Sequence, residues 1–388
     1  MFYAFIMSIC GLVVFDWWRI RSGCLRNVHG IWSVLLLVFM LGLLMLPAWG
    51  RMVFGRGGIP RFLEQASWIW LAWVFWFGCA QAVLLVWNAM MYCVHRAGYA
   101  GMPQFSAFAA LCISAGFVAL MTIWGLVEAN ALRTVAVEIR SSRIPAEADG
   151  FKLALISDVH IGKAATEWRV EKTIALVNEA APDIVLSAGD LIDGNGERER
   201  RLASLLQAIS TRDGGKSKFA VFGNHDAYSG LAFSREGHEA AGFTLLEDEG
   251  VAVNDWLWLY GESDPACHPR NGEANHPAPY IQPPELPQPA ELKAPNLFTI
   301  LLKHRPDGFS SRFGKDAPFC LELSGHSHGG QIFPFNFLVR LQYPFTEGKL
   351  HTLPNGMLMY VTPGSGVWGP PFRVLARPEI TIFTFRHL

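Results

Sequence analysis

Charged side chains are spread so unevenly along this chain that no single soluble core can contain it. Residues 1–128 carry seven Arg (Arg19, Arg21, Arg26, Arg51, Arg56, Arg61, Arg96), no Lys and three acids (Asp16, Glu64, Glu128). The rest of the 388 residues carry 25 basic and 30 acidic side chains. Four stretches of the first part, Phe2–Phe15, Ile31–Trp49, Ser67–Val94 and Gln104–Val127, contain no charged residue at all. The last three meet the roughly 18–20 residues needed to cross a bilayer as a helix. The first is shorter, and Trp17 and Trp18 can complete it at headgroup depth. No basic segment precedes it and no A-x-A-like site follows, which disfavours a cleaved signal peptide. Ten of the 14 Trp lie before residue 128, as interfacial anchoring favours.

The expectation is therefore a transmembrane region of four helices over residues 1–128, in a bacterial cell membrane. A connector (129–150) and a soluble domain (151–388) follow. With four spans both termini share a side. That side holds six Arg (51, 56, 61, 133, 140, 143) against four (19, 21, 26, 96), a count that leans to a cytoplasmic C-terminal domain. The net charge of −1 provides no basic footprint for nucleic acid. Seven Cys are too few for a disulfide framework. Five lie in the apolar part, where a thiol acts as a small hydrophobe. Cys267 and Cys320 are read as free thiols.

In the second part, strand-length apolar runs alternate with helical patterns. The runs are Lys152–Ser157, Asp183–Ala188, Lys218–Phe222, Leu297–Leu302, Phe319–Ser324, Met357–Thr362 and Ile380–Phe385. Glu167–Ala180 and Glu197–Ser210 show helical spacing. This alternation predicts an α/β layered sheet. Asp264–Asn296 interrupts it with nine Pro and reads as an exposed insertion rather than a functional lid.

The residues that carry chemistry follow the strands: Asp158-Val159-His160, Gly189-Asp190, Gly223-Asn224-His225-Asp226, His304, and Gly325-His326-Ser327-His328. Ligands of open α/β sheets bind outside the carboxyl ends of the strands, so these tips can converge. Carboxylates, imidazoles and a carboxamide suit divalent first-row metals. On extended backbone, Asp158 and His160, or His326 and His328, would point to one side.

This set, D-x-H, G-D, G-N-H-D, a later His and G-H-x-H, resembles the calcineurin-like metallophosphoesterase superfamily over about Phe151–Leu388. The closing Trp368-Gly369-Pro370-Pro371-Phe372-Arg373 and Arg377-Pro378-Glu379-Ile380-Thr381 are similar to its membrane-attached bacterial branch, which includes UDP-2,3-diacylglucosamine hydrolase-like phosphoesterases. The resemblance implies a layered α/β/β/α sandwich and two divalent ions (Mn, Fe or Zn). One ion would be held by Asp158, His160, Asp190 and His328. The other would be held by Asp190, Asn224, His304 and His326, with Asp190 bridging. It implies hydrolysis of a phosphate ester or diphosphate by metal-activated hydroxide. His225 would serve as general acid and Asp226 would orient it. Asp193 reads as a structural cap, and Arg373 and Arg377 as phosphate contacts or solvated surface. Gly364-Ser365-Gly366 reads as close-approach backbone at the pocket.

The membrane part points to a lipid or lipid-linked substrate and to membrane lipids as partners. The alternatives are a membrane sensor or scaffold whose phosphoesterase-like domain only binds a ligand, and a metal-dependent nuclease. An acidic domain without a basic stripe disfavours the nuclease.

Overall fold

The structure, a computed structural model, describes residues 2–25, 30–54, 59–268, 297–308, 319–346 and 348–388. It divides into two compact units near Leu126, with a short return of Gly369–Pro371 to the first.

The first unit holds four helices: α1 (Phe2–Gly23), α2 (Gly30–Phe54), α3 (Arg61–Arg96) and most of α4 (Ala107–Ala129). Val13, Met40 and Val74 bury against one another where α1, α2 and α3 meet. Gln81 of α3 is fully buried and satisfied: it accepts from Arg19 Nε of α1 (2.8 Å) and donates to Ser114 Oγ of α4 (3.0 Å). Large apolar side chains such as Val34, Val38, Val83, Val86 and Ile123 face outward. Helices apolar on the outside suit lipid rather than water. By length and composition, α3 and α4 are long and apolar enough to cross a membrane. The expected count of four spans rests on two helices by that criterion, with a shorter apolar stretch, Gly30–Leu46, in α2.

The second unit is built on two six-stranded sheets. The first contains β1 (Arg133–Ser141), β2 (Lys152–Ile156), β4 (Ile184–Ser187), β6 (Lys218–Ala220), β7 (Thr244–Leu245) and β14 (Glu379–His387), in the order β1-β14-β2-β4-β6-β7. The second contains β8 (Glu249–Ala252), β9 (Leu257–Glu262), β10 (Phe298–Lys303), β11 (Leu321–Ser324), β12 (Leu350–Thr352) and β13 (Leu358–Val361), in the order β12-β13-β11-β10-β9-β8. The short β3 (Ile161–Gly162) and β5 (Ile192–Asp193) pair separately.

Side-chain alternation sets the layers. In β2, Leu153 and Leu155 join a core shared with Leu259, Ile300, Leu302 and Leu323 of the second sheet, so the two sheets face each other. Ala154 and Ile156 point the other way, onto Val170 and Val177 of α5 (Glu167–Ala180) and Leu202 of α6 (Glu197–Leu205). Burial on both faces explains why these parallel strands read as continuous apolar runs. On the far face of the second sheet, Trp258, Tyr260, Leu301, Phe319 and Met357 form a further buried cluster.

The segment read as a connector contains strand β1, which pairs in parallel with β14 from Arg133↔Glu379 to Ser141↔His387. It is an edge strand, mostly exposed, with Ile139 its one fully buried residue, so its composition resembles a linker. Of the Pro-rich insertion, residues 269–296 lie outside the described residues. All seven Cys are free.

Candidate metal centre

The residues singled out from sequence come together at the carboxyl ends of β2, β4, β6, β10 and β11, where the chain turns unusually. Asp158, His160, Asp190, His326 and His328 all have positive φ, between 49° and 67°. Side-chain-bearing residues rarely adopt that region, and such outliers gather at functional sites. The extended geometry expected for the D-x-H and H-x-H pairs therefore does not occur. A left-handed turn aims each side chain, and cross-strand bonds hold it: Asp158 N to Gly189 O (3.0 Å) and His160 N to Asp190 O (3.0 Å). Gly189 makes the close approach possible. A Cβ there would lie 2.7 Å from His304 Nδ1 and 2.8 Å from Gly223 N.

Two groups of three result. Asp158, His160 and His328 form one, and Asp190, His304 and His326 the other, with the potential ligand atoms of each within 4.8 Å of one another. Asp190 joins them, its Oδ2 lying 3.1 Å from His304 Nε2 and 3.7 Å from His160 Nε2. Asn224, the first residue of α7 (Asn224–Ser229), is buried, and its Oδ1 has no partner among the described residues.

Neighbouring acceptors fix two of the rings. His304 Nδ1 faces Ala188 O at 2.8 Å and His160 Nδ1 faces Asp193 Oδ2 at 3.2 Å, so each carries its proton outward and turns the Nε2 lone pair inward. Inside, like meets like: His160 Nε2 lies 3.0 Å from His328 Nε2, and His304 Nε2 lies 3.1 Å from His326 Nδ1. For His328, Arg373 Nη2 approaches Nδ1 at 3.2 Å, so no acceptor sets that tautomer. Lone pairs, a carboxylate and an orphan amide oxygen converging in a buried space call for positive charge between them, and the residues present fit a divalent ion.

The electrostatics agree. Burial opposes the charged forms, yet the Asp190 carboxylate lifts His304 to about 10, and the His304 charge holds Asp190 well below the ordinary carboxylate range. Burial, with the charge on His304, pushes His326 down to about 3. Protons and cations thus compete for the same cluster.

Two roles differ from expectation. Asp226 does not face the His225 ring. Its carboxylate accepts the backbone N–H of Gly223 (2.8 Å), Asp190 (2.9 Å) and Ile192 (2.9 Å), tying the second and third loops together. The orienting carboxylate is Asp193, whose Oδ1 lies 2.8 Å from His225 Nδ1 while its Oδ2 serves His160. Both hydrogen bonds bring Asp193 down to about 2 despite its burial. The rings of Trp368 and Tyr228 stand 5.2 and 5.4 Å from that of His225.

Arg373 is neither a phosphate contact nor solvated surface. It is fully buried and donates to the carbonyls of Gly366, Ala376 and Pro363. Arg377 donates to Ala131 O. Gly364-Ser365-Gly366 does line the site, with Gly366 N bonded to Asp158 O (2.9 Å). Sequence reasoning missed Tyr343, whose ring packs 5.5 Å from that of His326. It also missed Arg305, which Asp264 holds by two bonds of 2.6 and 3.0 Å. A His-Arg dipeptide just after a strand was the only signal for the latter.

A family model described as calcineurin-like phosphoesterase matches residues 151–330. A metallophosphoesterase of Aquifex aeolicus is 30% identical over 269 residues, which cover 69% of this chain and 97% of that protein. One of Bacillus subtilis is 31% identical over 268 residues, 67% of this chain and 87% of that protein. A Danio rerio protein described as a transmembrane protein with metallophosphoesterase domain is 32% identical over 278 residues. That match covers 68% of this chain and 60% of the relative's length.

Proposed function

Because the chain belongs to the calcineurin-like metallophosphoesterase family, we propose that it is a membrane-bound phosphoesterase acting on a phosphate ester or diphosphate of a lipid or lipid-linked substrate. The observation that carries the chemistry is the pair of ligand groups meeting at Asp190. Asp158, His160 and His328 would hold one divalent ion, and Asn224, His304 and His326 the other, with Asp190 shared. Bound there, two such ions neutralise phosphoryl oxygens and make water a nucleophile near neutral pH.

The chain's own residues do the rest. Asp226 locks the Asp190 and Gly223 loops in register. His225 stands partly open to solvent beside the ligands, oriented through Nδ1 by Asp193, so its Nε2 is free to carry a proton to a departing alkoxide. Trp368 and Tyr228 wall this position and limit the water around it. A sensor that only binds would need no such oriented acid, and a nuclease would need a basic track.

Asp190→Asn tests the centre. With the shared negative charge gone, metal content should fall below that of the parent protein, and hydrolysis should drop by orders of magnitude while the fold persists. Full activity with undiminished metal in that variant would falsify the assignment.

A further inference from the structure

His304, Arg305, Pro306 and Asp307 leave the end of β10 in that order, and they lead from the metal centre to a cavity beside it. The cavity holds about 590 Å³, inside the ~300–1,000 Å³ range of small-molecule sites. Every described residue that lines it belongs to the second unit. Its wall includes Pro306, Tyr343, Pro344, Phe345, Leu353 and Met359. Tyr343 is common to the cavity and the centre: it lines the one, and its ring stands edge-on to that of His326, at 5.5 Å and 88°. A substituent on a phosphorus held among the ligands has only to pass Tyr343 to enter.

The polar side chains of the wall are already engaged. Asp307 Oδ1 accepts from Lys303 Nζ (2.6 Å), Gln342 Nε2 donates to Tyr343 Oη (3.1 Å), and Asn355 Oδ1 accepts the N–H of Met357 (3.1 Å). Among the described lining residues Asp307 alone is charged, and Lys303 offsets that charge. A second phosphate would therefore meet no counter-charge there, and a sugar or base would leave polar atoms poorly matched. Hydrocarbon has no such cost, and it gains by leaving water for a wall of rings and aliphatic ends.

We propose that this cavity is the apolar subsite of the substrate: it receives a hydrocarbon chain carried by the phosphate that the metal centre hydrolyses, with Leu353 and Met359 setting specificity. The proposal rests on the phosphoesterase reading of that centre. Chain recognition is then a property of the second unit itself. Each methylene taken up is worth about fourfold in affinity, so two of them give roughly tenfold or more.

The test uses the full chain, loaded with Mn²⁺, in vesicles of phosphatidylethanolamine and phosphatidylglycerol. Substrates are alkyl phosphates and alkyl para-nitrophenyl phosphates from ethyl to hexyl. Ethylphosphonate and hexylphosphonate, which carry no scissile ester, report binding by calorimetry. In the parent protein the hexyl member should exceed the ethyl member by at least about tenfold, in kcat/KM and in affinity. Leu353→Trp, whose indole fills the cavity, should bring that ratio close to one. Leu353→Phe fills less and should give an intermediate ratio; it decides the matter if circular dichroism shows the Trp variant unfolded. A parent ratio near one overturns the proposal, as does a folded filled variant that keeps the parent ratio. Faster hydrolysis of para-nitrophenyl thymidine phosphate than of the hexyl ester, lost in the filled variants, overturns it in favour of a nucleoside. If the phosphonates show the ratio while no ester is hydrolysed, the cavity holds its chain and the phosphoesterase reading is what fails.

Discussion

His225 and Asp193 make the sharpest statement at the scale of single residues. If His225 delivers a proton to the leaving group, His225→Ala should keep the metals and slow hydrolysis by ~10²–10⁴ for alkyl phosphates. The loss should shrink for para-nitrophenyl phosphate, whose leaving group departs with little protonation. An equal loss on both substrates would sink the general-acid role. Asp193 faces His225 Nδ1 and His160 Nδ1 at once. Asp193→Asn should therefore disturb both the acid and one ligand, with a loss of about 10–100-fold in metal affinity or activity. Metal titration and leaving-group dependence read the two effects separately. If both stay at the parent values, Asp193 is only a cap. The ligands were legible in sequence because metal chemistry demands particular side chains at strand ends. Asp193 was not, because an orienting carboxylate is defined by what it touches, and its partners lie 33 residues before and 32 residues after it.

Among the elements, the strands legible in sequence are buried on both faces, and most of the illegible ones are edges or short pieces. β1 alternates with charged residues and pairs only with β14, so no local pattern separates it from a linker. β9, Leu257–Glu262, is fully buried, yet its Tyr, Gly and Glu break the apolar run that marks such strands. The five positive-φ turns were hidden for another reason: Asp and His carry no glycine signal for a left-handed backbone.

β11 supplies a testable liability. Glu322 in it is 0% exposed, and burial pushes its carboxyl up to about 8, opposed in part by the charge on Lys303. The sign follows directly. The folded state keeps a proton that the unfolded chain releases near its ordinary pKa of 4.5. The stability linked to this group is then fully present below that value and lost as pH rises toward 8. At about 1.4 kcal/mol per unit, the change across the window is on the order of a few kcal/mol. Glu322→Gln removes the ionisation and should flatten the decline, seen as a smaller drop in unfolding midpoint between pH 5 and pH 8. Parallel curves for the two proteins would show that Glu322 does not titrate in this range.

For the whole molecule, the question is why a phosphoesterase domain should follow a run of apolar helices in one chain. The sequence suggested a tether of about 30 residues from Val127 to Asp158, with little slack because part of it must form a strand. α4 ends at Ala129 and β1 begins at Arg133, running in register along all nine residues of β14. The Glu128 carboxylate accepts the backbone N–H of Leu375 and Ala376. A soluble metabolite gains nothing from attachment of the enzyme to a membrane, whereas a lipid-borne phosphate is confined to the same surface. Acyl chains should therefore contribute to transition-state binding. Burying only two methylenes, at ~0.8 kcal/mol each, is worth about tenfold. With the full chain in vesicles, kcat/KM for a diacylated phosphate should exceed that for its deacylated headgroup by at least about tenfold. The comparison should be repeated at equal bulk phosphate in detergent micelles, where the advantage should narrow as the lipid is diluted among micelles. If headgroup and lipid react with the same kcat/KM in vesicles, acyl chains play no part in recognition. The helices would then fix where the enzyme works without deciding what it works on.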